Sequence, residues 1–232
     1  MSSNFLIEDT EHLIKSRMEG GNTVLLSAVP GAGKSTFGLH FLEEGFKTDQ
    51  LGIAILTEIS PDRLLSIASS FGFHWKKKVE SGLLKIVDCY SFRSMSEVHS
   101  KYYVDDPQQL SLVSLKLIEA QNGEKNGRLL LDSASTLLLV SSDGAGVDFL
   151  STTSSMLKRD GFTCLFILEG GAHDAQISNR LRYILDGVLD MKLEEVEGGM
   201  KRWFRIYSLR GCSHETRWIQ FTIGKKGLTI EK

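Results

Sequence analysis

The sequence predicts an α/β fold, with a mostly parallel central sheet flanked by helices and an antiparallel extension toward the C-terminus. Three observations predict it. Apolar runs alternate with helical patterns over most of the chain, as repeated β-α units require. Those runs are continuous in Leu, Ile and Val, which is the composition of strands covered on both faces. After Asp186 the texture changes, and strand-like runs surround Gly-rich turns with no helical pattern between them.

In chain order the parallel strands are TVLLSA, GIAILTE, LLKIVD, RLLLDSAS and FTCLFILE. TFGLHFLEEGF repeats Phe37 and Phe41 at i,i+4 and ends at Gly45, so it reads as a helix. PDRLLSIASSFG reads as another, with Ser60 as its cap. A serine hydroxyl accepts from a free N–H of the first turn, and Pro61 suits the first helical position. DPQQLSLVSLKLIEAQNG is a longer amphipathic candidate. SFRSMSEVHSKYYVDDP has no period and is expected to contain a mobile loop. VLDMKLEEVEGGMKRWFRIYSLRG and TRWIQFTIGKKGLTIEK supply the antiparallel extension, with Glu194, Glu195 and Glu197 at the wet tip of a hairpin.

A chain of 232 residues that is 41% hydrophobic can bury roughly 70% of its unfolded surface in one core. With no low-complexity tract or linker, one domain over 1–232 is expected. A net charge of -2 argues against a protein that holds nucleic acid by bulk positive charge. Cys89, Cys164 and Cys212 lie far apart with no C-x-x-C, which fits free thiols in a reducing compartment. The N-terminal residues show no signal pattern and no stretch of 18 apolar residues occurs, so a cytoplasmic location without membrane insertion is expected. The histidines show no ligand spacing for a structural zinc site.

The most informative stretch is VLLSAVPGAGKSTFGLHF. A Gly-rich turn between a buried strand and a helix aims several N–H groups and the positive helix end at one spot, which suits a phosphate. Pro30, Gly31, Ala32, Gly33, Lys34, Ser35 and Thr36 form that turn. Gly31 and Gly33 permit close backbone approach, Lys34 can reach the β and γ phosphates, and Ser35 can offer its hydroxyl to Mg²⁺. Lys34 reads as a surface lysine at the loop–helix junction. Ala28 stands where G-x-x-x-x-G-K-[ST] begins with glycine; its methyl matters only if that residue needs positive φ, at a cost of about 1 kcal/mol.

A triphosphatase also needs a second metal anchor and a group that orients water. Asp132 ends an apolar strand, at the edge where ligands gather in open α/β sheets; the same position suits a residue that merely caps the next turn. Glu58 ends another strand just before a Ser-Pro helix start and can polarise water toward a γ-phosphate, or simply be solvated. Glu169 ends a strand before two glycines, as a polar sensor or as a turn residue.

The order of phosphate loop, strand-end Glu58, DSAS from Asp132 to Ser135 and a late RG resembles the RecA superfamily of P-loop ATPases, in its KaiC-like branch. EISP resembles the family's Glu-Glu-Thr/Ser-Pro element with Ile59 in place of the second acid. LRYILDGVLDM resembles its stretch ending in Asp-Gly before a strand. YSLRGCSH resembles its Lys-Met-Arg-Gly segment with Ser208 in place of the lysine. The resemblance implies ATP and Mg²⁺ as ligands and a homo-oligomer, a hexameric ring or a smaller assembly, with ATP between subunits. It further implies Arg210 as a group offered to a neighbour's site. The two departures point toward weak or regulatory hydrolysis, so an ATPase and a nucleotide-sensing module that docks a protein partner both stand. A recombinase-like DNA-binding relative is a third reading, supported by HWKKKVE, where an aromatic adjoins lysines; a solvated helix end explains that stretch more cheaply, and the near-neutral charge counts against it.

Overall fold

The computed structural model describes residues 7, 10, 13–14, 21–93, 100–141 and 144–230. The mobile loop expected in SFRSMSEVHSKYYVDDP falls on 94–99, outside the described residues.

One sheet of ten strands runs through the described chain. Its parallel part comprises β1 (Thr23–Ala28), β2 (Gly52–Leu56), β3 (Leu84–Asp88), β4 (Tyr102–Tyr103), β5 (Arg128–Asp132), β6 (Thr163–Glu169) and β7 (Gly187–Val196). β8 (Gly199–Leu209), β9 (Ile219–Gly224) and β10 (Gly227–Ile230) extend it antiparallel, giving the order β10-β9-β8-β7-β1-β6-β5-β2-β3-β4. The predicted fold class is therefore the observed one. β7 and β8 meet at a turn through Glu197 and Gly198, and Glu194, Glu195 and Glu197 are exposed at its tip as expected.

The continuous apolar runs are explained by two cores. Ala54 and Leu56 of β2 and Leu165 and Ile167 of β6 face one, which they share with Phe37 and Phe41 of α1 (Lys34–Phe46). Ile53, Ile55, Cys164 and Phe166 face the other, shared with Val113 and Leu117 of α4 (Leu110–Gln121) and Leu150 of α6 (Ala145–Arg159). Between them stand α2 (Pro61–Ser70), whose cap Ser60 accepts from the Arg63 N–H at 3.3 Å, and α3 (Trp75–Glu80) in the first core, with α5 (Ala134–Val140) in the second. α7 (Ala175–Ile184) then leads back to β7. α6 buries Val147, Leu150, Ser154 and Leu157 along one face, although LSTTSS within it is rich in residues of modest helix propensity, so packing of that face holds it helical.

The strand order puts the carboxyl ends of β1, β6, β5 and β2 side by side. Ala28 is in register with Glu169, and Leu56 with Asp132. These pairings bring the candidate residues to one edge. Among the described residues no helix is long and apolar enough to cross a membrane.

Candidate functional site

The turn after β1 has the backbone its glycines predict. Gly31 has φ 77° and Gly33 φ 104°, both left-handed, while Ala28 is not among the residues with positive φ, so its methyl costs nothing there. Gly33 is constrained twice. A Cβ on it would meet Ile223 Cδ1 of β9 at 2.9 Å, so the C-terminal extension presses directly on the loop. Arg202 of β8 adds a hydrogen bond from Nε to the Gly31 carbonyl at 3.2 Å. Ala32 is buried in the first core, while Pro30, Gly31 and Ser35 are exposed.

Lys34 corrects the reading of a surface lysine: its side chain is only 8% exposed. Its ammonium donates to the Ala28 and Val29 carbonyls at 3.0 Å each and pairs with Glu169 Oε2 at 2.6 Å. The cause is the register, which sets Glu169 beside Ala28 at the head of the loop. Glu169 is thus more than a turn residue.

Asp132 is buried at the end of β5, where its carboxylate hydrogen-bonds with Ser35. Burial pushes its pKa up to about 6; the Ser35 hydrogen bond lowers it, the Glu58 charge raises it, and Lys34 and Glu169 act in opposite senses. A buried carboxylate joined to an exposed serine, with further negative charge nearby, is a hard-oxygen set that fits Mg²⁺. Among the described residues no three His, Cys, Asp or Glu side chains group closely enough to hold a metal by themselves.

Glu58 lies just beyond β2 and is exposed, with Thr57 anchoring the backbone behind it. The Thr57 hydroxyl accepts from the Ser133 N–H at 2.8 Å and donates to the Ser133 carbonyl at 3.1 Å. The Glu58 carboxylate accepts from the hydroxyls of Thr136 and of Ser133, the latter at 3.3 Å. Sequence reasoning missed Arg202, Ser133, Ser135 and Thr136 as participants. Hydroxyls in the few residues directly after Asp132 were the available signal for the last three, since a residue in the first turn after a strand shares that strand's edge.

Arg210 is placed apart. Its N–H donates to the Asp186 carbonyl at 2.8 Å, and the Asp186 N–H donates to the Thr23 carbonyl at 2.9 Å, at the opposite end of β1 from the loop. Six residues of strand separate them by about 17 Å, further than an arginine side chain reaches. Trp75 of HWKKKVE is buried, its Nε1 bonded to Glu43 at 2.7 Å, so the tryptophan is not free to stack on a base beside Lys76 and Lys77.

The sequence profile described as "ATPase: KaiC" matches residues 4–232. A UPF0273 protein of Methanopyrus kandleri is 26% identical over 212 residues, covering 90% of this chain and 84% of its own. A UPF0273 protein of Aeropyrum pernix is 29% identical, covering 90% and 85%. The circadian clock oscillator protein KaiC of a Picosynechococcus strain is 26% identical over 99% of this chain but only 43% of its own. Among solved structures, a KaiC-like protein from Pyrococcus horikoshii superposes with TM-score 0.74 at 22% identity, covering 100% of this chain and 98% of that one.

Proposed function

The chain belongs to the KaiC family of ATPases, and on that premise we propose that it binds Mg²⁺-ATP and hydrolyses it to ADP and phosphate at an interface between copies of itself, 1–232 acting as one ATP-binding domain. One observation carries the reading: Lys34, Ser35, Asp132 and Glu58, from three different strand ends, meet at one edge of the sheet. The N–H groups of Gly31 to Thr36 cradle the phosphates, and Lys34 balances charge on the β and γ groups. Ser35 and Asp132 would hold Mg²⁺ and its waters, and the ion would supply charge neutralisation at the phosphate oxygens. Glu58, oriented by Thr136 and Ser133, accepts a hydrogen bond from the attacking water. Arg210, beyond reach of its own loop, serves a neighbour's γ-phosphate.

A second reading keeps the binding and slows the chemistry: ATP occupancy drives assembly or docking of a protein partner. The departures at Ile59 and Ser208 and the prior engagement of Lys34 by Glu169 favour slow turnover. Steady-state ATP turnover measured with solution mass, with and without Mg²⁺-ATP, separates the two. In Glu58→Gln the amide keeps the shape but not the basicity, so turnover should fall about 10³-fold with ATP still bound. Turnover equal to the unsubstituted protein would reject Glu58 as the water-orienting group.

A further inference from the structure

All three ammonium protons of Lys34 have acceptors: two are the Ala28 and Val29 carbonyls, part of the loop itself, and the third is the Glu169 carboxylate. A triphosphate can take the lysine's charge only by displacing the carboxylate, because the carbonyls cannot leave without dismantling the turn. We propose that Glu169 is a positioning residue that competes with nucleotide phosphate for Lys34, so that loading the site passes the lysine from Glu169 to the β and γ phosphates. This rests on the nucleotide reading given above and adds the group that sets its affinity.

The surroundings are built for such an exchange. The Glu169 N–H donates to Ser135 Oγ at 2.7 Å and the Gly170 N–H to the Ala28 carbonyl at 2.7 Å, so the end of β6 is stitched to both the phosphate loop and the start of α5. A Cβ on Gly170 would lie 3.0 Å from the Ala28 carbonyl carbon, so any larger residue there would have to push the two strand ends a few tenths of an ångström apart. The backbone is fixed and the carboxylate alone can move. At 31% exposure it has solvent to turn into once the lysine leaves, which it must do, since a carboxylate beside a γ-phosphate is repelled. A strand-end residue with only a structural task would not need its charge on the loop's one lysine.

The test uses the full chain carrying Glu169→Gln. Calorimetric titration should show ADP and ATP binding about tenfold tighter, the scale expected when a charge-assisted competitor that is partly screened is removed. In nucleotide-free protein, carbamylation of Lys34 by cyanate, read by peptide mass spectrometry, should rise several-fold. Glu169→Ala should move both readings in the same direction, and movement in the opposite direction would overturn the proposal. Unchanged affinity together with unchanged Lys34 reactivity would also overturn it, as would loss of turnover at unchanged affinity, which would make Glu169 a water-orienting group instead. Lys34→Ala run alongside separates the two levels. If that variant binds ATP undiminished, the nucleotide reading itself fails; if it binds poorly while Glu169→Gln changes nothing, only the competition fails.

Discussion

At the carboxyl edge of the parallel strands, Glu58, Asp132 and Glu169 gather around one lysine, and the burial of Asp132 shows in its raised pKa. At the amino edge the balance is different. Lys158 pairs with Asp186 at 2.5 Å, while Arg210 lies over the Tyr183 ring and donates to the Tyr183 carbonyl, with no carboxylate partner among the described residues. Among the described residues, one edge carries more carboxylates than cations, and the other carries an arginine without a carboxylate partner. Because β1 keeps them a strand's length apart, no motion of a single chain short of unfolding brings them together. The interface between copies proposed above would have to be head-to-tail to do so, and such heterologous contacts close into rings when the rotation permits.

The largest effect expected from this contrast is at Arg210. In Arg210→Ala turnover should fall about 10²-fold, below the 10³ or more that a trans arginine can supply, because Ser208 leaves it without a basic companion. ATP affinity should change little. Mixing Arg210→Ala with Glu58→Gln, each strongly impaired alone, should restore part of the activity, since some interfaces then combine an intact Glu58 with an intact Arg210. No recovery in demonstrably mixed oligomers would break the comparison between the edges, and so would a protein that stays monomeric with ATP.

The next effect isolates the charge surplus of the carboxyl edge. Asp132 has its pKa raised from 3.8 to about 6 in the folded chain, so relative to the unfolded state it stabilises the fold at low pH. That contribution is complete below about 4 and is lost as pH rises through 6. Above pH 7 the buried carboxylate therefore carries a penalty of up to about 3 kcal/mol. Asp132→Asn is neutral throughout, so without nucleotide it should be more stable than the unsubstituted protein at pH 7.5, with the gap narrowing toward pH 4. Chemical denaturation at a series of pH values measures this. A gap that does not vary with pH would mean that Asp132 is not held against its charge.

How much of this was legible depends on how far apart in the chain each relation lies. The phosphate loop could be read because a strand, its glycines and Lys34 are contiguous, and the parallel character of the sheet because its central strands are apolar on both faces. The burial of Lys34 could not. It follows from the pairing of Ala28 with Glu169, and no local pattern records which strand lies beside which. The same holds for Arg202 and Gly33: that β9 and β8 lie against the loop is decided by the order β9-β8-β7-β1, not by residues near Gly33. Glu58 could be read as a strand-end acid, yet its direction is set by Thr136, which belongs to a helix of seven residues too short to leave a period.

Thr136 provides the smallest and most specific test. Its hydroxyl donates to the Glu58 carboxylate in an exposed pair, and Ser133 donates to the same oxygen at the longer distance of 3.3 Å. Thr136→Val keeps the branched shape and deletes only the donor. Loss of one such bond in solvent is worth about 1 kcal/mol, and with Ser133 still present Glu58 should be loosened rather than lost. Turnover should therefore fall about five- to tenfold in kcat with KM unchanged, because Thr136 touches the water-orienting group and none of the phosphate-binding ones. Thr136→Ser should restore most of the rate, which a packing defect from the missing methyl would not allow. If Thr136→Val instead raised KM at constant kcat, Glu58 would be acting on the bound nucleotide or its metal, and the carboxyl edge would bind through all of its carboxylates and orient water through none of them.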